Sequence, residues 1–171
     1  MADNLKGTEA DDFRALCMAI GFVVVNWAII EQQIDNVVNV AFKNCGGKTL
    51  RKNGDIPRSM SQKLDFLKDC FHKIAALKPF EGEAVSLIGR TSTLSEQRHD
   101  LVHGAVTSLT PINGGFKFRK IGYEKEDHVL HPEFTFDPSE FDKLAGSLEG
   151  HLTALIQFSQ KLADTFLAAP K

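Results

Sequence analysis

The stretch LSEQRHDLVHGAV, residues 94–106, places Arg98 and His103 near the end of an expected helix with four residues between them. A neutral imidazole can take a proton near neutral pH. A guanidinium can hold a phosphate or carboxylate through several directed N–H groups. Together the two side chains raise the question of a catalytic pair. The bland reading is also open, because a His in the last helical turn is favoured by the helix dipole alone.

A helical wheel tests the two residues against simple packing. With Leu87 at the origin, Leu94 and Leu101 fall within about 40° on one side and Ala84 and Val102 about 60° to the other. Arg98 falls about 20° from Leu87, inside the apolar stripe. His103 lies about 140° round from Arg98, so the two do not share a face of one ideal helix. The first helix holds a matching oddity. With Phe13 at zero, Glu31 returns to about 0°, among Val24, Trp27, Ile34 and Val38. Asp35 lies about 40° off, at the edge of that stripe. Buried unpaired charges are expensive, so Glu31 and Arg98 are expected to meet. Such a pair would serve either to hold the core or to orient Arg98 toward a ligand.

The elements that must position these residues follow from periodicity. Helices are expected over about residues 9–43, from Met60 to Ile74, over about 81–103, and from DPSE at 137 onward. Ser59 with Gln62, and Asp137 with Pro138 and Glu140, supply start signals; Gly104 supplies a stop. The last helix carries Phe141, Leu144, Leu148, Leu152, Leu155, Leu162 and Phe166 on its stripe. Between the third and last helices, AVTSLT, GFKFRKI and HVLHPEFTF read as short strands, with INGG as a hairpin turn and Pro132 directing the third to an edge. The expected fold is mainly α: a four-to-five-helix antiparallel bundle with a small antiparallel β-meander, about residues 105–136, inserted before the last helix. One domain over residues 1–171 suits the length.

Composition narrows the function classes. A formal charge of −2 argues against coating nucleic acid by bulk charge, while leaving room for a local basic patch. Three cysteines at 17, 45 and 70 match neither a disulfide framework nor a zinc knuckle. The opening MADNLKGTEADD lacks the layout of a signal peptide, and AIGFVVVNWAII is interrupted by Asn26 and followed by Glu31. The expectation is a reduced, cytoplasmic chain with no membrane partner.

The residues RHDLVHG resemble the catalytic motif of the HEPN superfamily: Arg, a polar residue, then His after four to six intervening positions. His99 stands at the polar position. NWAIIEQQID on the first helix is similar to the early acidic core helix of many members, and the resemblance covers roughly residues 10–104 and 138–168. It implies a helical bundle, metal-independent endoribonuclease activity without a cofactor, and a toxin, defence or RNA-processing role. It further implies a homodimer whose two motifs face each other, with RNA as substrate and an antitoxin as a partner in the toxin case. In that chemistry His103 is the general base, Arg98 stabilises the charged phosphate, and His99 with Glu31 supports them. Members that have lost activity serve as dimerisation or RNA- and nucleotide-binding modules, which is the alternative here.

His99 and His103 share a helical face and could present two metal ligands, but no acid or thiol stands at ligand spacing, so no metal is expected. His128 and His131 are three apart on a strand and point to opposite faces. A His99–Asp100 dyad with His72 upstream is too short a pattern for a metal phosphohydrolase. CGGKT is only a fragment of a phosphate loop and follows a helix rather than a strand. The same region is basic, with Lys43, Lys48, Arg51, Lys52, Arg58 and Lys63 against Asp55, five net positive charges in 21 residues. Lys48, Arg51, Lys52 and Arg58 are the first candidates for tracking an RNA backbone. Lys117 and Arg119 are a weaker second set.

Overall fold

The computed structural model describes residues 7–108, 115–119, 121–124, 127–130 and 133–167. Among them are four α-helices: α1 (Gly7–Lys43), α2 (Met60–Lys73), α3 (Glu81–His103) and α4 (Pro138–Phe166). Two 3-10 turns, Gly47–Leu50 and Ala75–Phe80, lead from α1 to α2 and from α2 to α3. Between α3 and α4 run β1 (Ala105–Val106), β2 (Phe116–Arg119), β3 (Ile121–Glu124), β4 (Asp127–Leu130) and β5 (Phe134–Phe136). The mainly helical class with antiparallel strands before the last helix is the one expected from the sequence.

The helix limits follow local chemistry. Ser59 caps α2, its Oγ accepting from the Gln62 amide at 3.3 Å. The reciprocal half of that box is displaced, because Gln62 Oε1 accepts from the Arg58 amide instead. At α4 the box is complete: Asp137 Oδ1 accepts from the Glu140 amide at 2.9 Å, and Glu140 Oε2 accepts from the Asp137 amide at 2.8 Å. The Ser139 hydroxyl and the Glu140 amide hold the Asp137 carboxyl below its usual range.

The strands depart from the expected meander. β2 pairs antiparallel with β1 and with β5, giving the order β1-β2-β5 in one sheet, with Val106 opposite Phe118 and Phe118 opposite Phe134. β3 and β4 form a separate two-stranded ribbon. The segment read as one strand, HVLHPEFTF, is thus divided between β4 and β5, and β5 lies at a sheet edge. Pro132, His131 and most of the INGG turn lie outside the described residues.

The chain forms two compact units: Met1–Val25 with Glu96–Leu148, and Asn26–Ser95 with Glu149–Lys171. In the second unit all four helices contribute to one core, with Ile34 and Val37 of α1, Leu67 and Phe71 of α2, Leu87 and Ile88 of α3, and Leu155 and Phe158 of α4 lining the same interior space. That is a four-helix bundle. In the first unit, Phe118 is fully buried and stacks on Phe134 with ring centroids 5.4 Å apart. Leu16, Phe116, Phe136 and Phe141 border a small apolar cleft there.

The buried seam of α1 differs from the expected stripe. Leu16, Val23, Ile30 and Val37 are buried at seven-residue intervals, as are Trp27, Ile34 and Ala41. Phe13 and Val24, both expected inside, are 39% exposed. A wheel at 3.6 residues per turn drifts by about 20° per heptad against a seam that repeats every 3.5 residues. Over a helix of 37 residues this moves the origin set at Phe13 off the core. By length and composition Ala10–Lys43 would also suffice to cross a bilayer. Its second half nonetheless supplies core to the bundle.

Candidate active site at the end of the third helix

The α3 seam runs Ala84, Leu87, Thr91, Leu94, Arg98, Leu101, alternating steps of three and four. Five of these six residues are buried, and Arg98 is half-buried at the position where the seam would place an apolar side chain. Its Nε is buried and has no hydrogen-bond partner among the described residues. An unmatched buried N–H costs about 1–3 kcal/mol. This is the position the wheel assigned to Arg98.

The helix ends at His103. The Gly104 amide donates to the Asp100 carbonyl at 2.9 Å, and a Cβ on Gly104 would lie 2.7 Å from that oxygen and 3.3 Å from the Phe118 side chain. Only glycine fits under the sheet there. His103 is therefore presented at the end of α3, exposed, with the ring of His99 one turn earlier and 4.5 Å away between centroids. Arg98 and His103 point away from each other round the helix, as the wheel indicated.

Glu31 is half-buried on the flank of the α1 seam, and its Oε1 accepts from Trp27 Nε1 at 2.8 Å. Trp27 is itself 2% exposed, so the carboxylate satisfies a buried indole. The expected pairing of Glu31 with Arg98 would join a residue of the second unit to one of the first. Asp35, at the stripe's edge, forms an ion pair with Lys63 at 2.6 Å.

The basic set divides. Lys48, Lys52 and Arg58 are exposed and form no ion pair among the described residues. Arg51 donates to the Asp55 carbonyl at 3.2 Å, and Lys63 is taken by Asp35. Lys117 and Arg119 converge on Glu133, at 3.8 and 2.9 Å, so one carboxylate offsets part of the weaker second set. His72, considered upstream of a His99–Asp100 dyad, meets Glu81 at 2.9 Å, a contact between the end of α2 and the start of α3. Among the described residues no three His, Cys, Asp or Glu side chains group as metal ligands.

The CGGKT segment has a structural explanation. Gly46 adopts a left-handed φ of 84°, and a Cβ on Gly47 would meet Ala41 O at 2.7 Å, Phe66 at 2.9 Å and Cys70 Sγ at 3.0 Å. Burial, with Asp69 and Cys45 nearby, pushes the Cys70 thiol up to about 12, so it is no nucleophile.

Two features were not anticipated. Thr91 and His151 form a polar pair inside the bundle, both essentially inaccessible. A cleft of about 320 Å³ also opens beside the last turns of α3, against β5 and the first turns of α4. Against models of known families, curated proteins and solved structures, the chain matches none.

Proposed function

We propose that the chain is a metal-independent endoribonuclease whose chemistry is centred on Arg98 and His103, as the resemblance to the HEPN superfamily implies. The observation that carries this reading is a guanidinium set into an apolar seam, its Nε buried without a hydrogen-bond partner among the described residues, five residues before an exposed imidazole at a helix end. A charge in that place is costly for packing alone, and a phosphate oxygen would satisfy it.

His103, neutral, removes the proton from a ribose 2′-hydroxyl, and the oxygen attacks the adjacent phosphorus. Arg98 stabilises the charge of the pentacoordinate phosphate. The bond to the 5′-oxygen breaks, that oxygen takes up a proton, and a 2′,3′-cyclic phosphate remains. His99, beside His103, positions the phosphate. The working unit is a homodimer, since Arg98 and His103 diverge on one helix and a twofold partner can complete the pair.

A second reading is a non-catalytic RNA-binding module. Lys48, Lys52 and Arg58, exposed and without ion pairs among the described residues, favour it, because they suit a phosphate backbone without requiring any reaction.

The test uses the full chain, labelled RNA and excess EDTA. Cleavage is expected to persist in EDTA and to fall by about 100-fold or more in Arg98→Ala and in His103→Ala. Intact RNA with the unmodified chain would remove the catalytic reading; loss in EDTA with rescue by a divalent ion would move the site to a metal at His99 and His103.

A further inference from the structure

The small apolar cleft of the first unit is walled by aromatic rings. Phe116 and Phe136 stand directly opposite each other on β2 and β5, so both rings lie on the same face of the sheet. Phe141, in the first turn of α4, meets Phe136 with centroids 4.7 Å apart and planes at 63°. Rings set at such an angle form a corner, and the three phenylalanines line a space of about 220 Å³. Leu16, with Ala15 and Ala19 one turn apart on α1, completes the apolar lining. The two methyl side chains leave open a space that larger residues would fill, and a void forfeits dispersion contacts. All of these residues belong to the first unit.

Asp142 is the only charged residue of the lining. It is exposed, at the solvent edge, and forms no ion pair among the described residues. Arg14, beside Ala15 on α1, pairs with Asp11 at 2.8 Å instead. Aromatic rings carry negative faces that attract a cation within about 6 Å of their centroids, and a carboxylate beside them adds to that field. The lining has no side-chain N–H donor, so an anionic or zwitterionic occupant would bring a charge that nothing there answers. A primary ammonium carries several donors, and Asp142 alone would accept them. A quaternary ammonium has no donor to strand, and its methyl groups suit an apolar wall.

We propose that this cleft binds a small quaternary ammonium cation of the size of choline. The methylated head sits in the corner of Phe136 and Phe141 with Phe116 beside it, and Asp142 balances its charge from the solvent edge. The same head group also occurs on phosphocholine lipids and on trimethylated lysine. The small volume and the lack of a donor for phosphate favour the free cation. The site shares no residue with the Arg98–His103 pair and does not depend on RNA cleavage.

The full chain is titrated, by ligand-observed NMR, with choline, with the neutral alcohol in which carbon replaces its nitrogen, with ethanolamine and with glycine betaine. Choline is expected to bind about tenfold or more tightly than the neutral isostere, and about threefold or more tightly than ethanolamine or betaine. Asp142→Asn and Phe141→Leu should each weaken choline by about threefold to tenfold at unchanged circular dichroism. Ala15→Leu fills the space without removing a ring or a charge, and should abolish binding. Equal affinity for choline and its isostere would reduce the cleft to an apolar gap and overturn the proposal. So would the absence of saturable choline binding, or choline affinity unchanged in Asp142→Asn or Ala15→Leu. Phosphocholine and a short peptide carrying trimethyl-lysine complete the series: weaker binding of both supports the free cation, and tighter binding of either overturns it.

Discussion

Thr91 Oγ1 lies 2.8 Å from His151 Nε2 in the middle of the four-helix unit, and the same hydroxyl is 2.9 Å from the Leu87 carbonyl. A hydroxyl has one hydrogen. If it goes to Leu87, His151 donates through Nε2–H, and Nδ1 is left as a buried lone pair without a partner among the described residues. A second ring proton would have no acceptor. Burial first, and the Arg90 charge second, accordingly lower the His151 pKa from 6.5 to about 4.

The stability consequence has a definite sign. A depressed pKa means that the unfolded chain binds the proton more readily, so stability rises with pH through this window. The contribution is complete above about 6.5 and is lost as pH falls toward about 4, a difference of roughly 3 kcal/mol. Urea titrations across that range should show this slope, and His151→Leu should flatten it. An unchanged slope in the variant would assign the acid sensitivity to other groups.

Glu31→Ala removes the acceptor of a buried indole N–H and is expected to cost about 1–3 kcal/mol. A double-mutant cycle with Trp27→Phe should recover most of that loss, since phenylalanine has no N–H to leave stranded. If Glu31 also neutralises Arg98, the cost rises to about 3–5 kcal/mol and a cycle with Arg98→Met shows coupling. Additivity in the second cycle would leave Glu31 to Trp27 alone.

Gly46 and Gly47 should respond differently to alanine. At Gly46 the surrounding space is open, so Gly46→Ala carries only backbone strain, about 1–2 kcal/mol. At Gly47 a methyl group collides with backbone at Ala41 O and with Phe66, and the cost should be about 1–3 kcal/mol with visible repacking of Phe66. Near-wild-type denaturation midpoints for Gly47→Ala would show that the turn relaxes freely.

Mixing Arg98→Ala and His103→Ala chains under conditions of subunit exchange tests the shared site. In a cross-chain arrangement one complete Arg98–His103 pair survives in each heterodimer, and about a quarter of the native cleavage rate should return at equilibrium. No recovery, with exchange confirmed by native mass spectrometry, would mean that the pair acts within one chain or not at all.

The parts of this molecule legible in its sequence are those governed by local rules. Ser59, Asp137 and Gly104 mark helix ends through capping and close backbone approach, and α3 ends where its stop signal lies. Arg98 was legible because α3 is short enough for a wheel to stay in phase. A wheel places Glu31 at the centre of the α1 stripe because phase error accumulates along so long a helix. His151 and Thr91 were legible in principle, each standing on an apolar seam, but polar residues there are easily passed over. The cleft was not legible, since Asp100, Phe134 and Lys143 are brought together only by the sheet and the start of α4. No periodicity encodes that meeting.

Gly104 has one further implication. The residue after the exposed imidazole is pinned beneath Phe118, and Phe118 is clamped between β1 and β5. The strand insert therefore works as a mechanical end-stop for α3, fixing how far the helix winds and where His103 is delivered. A chain with the strands excised and the gap closed by a flexible linker would be free to extend or unwind α3 by a turn. It would keep its helical signal in circular dichroism and lose the address of its imidazole.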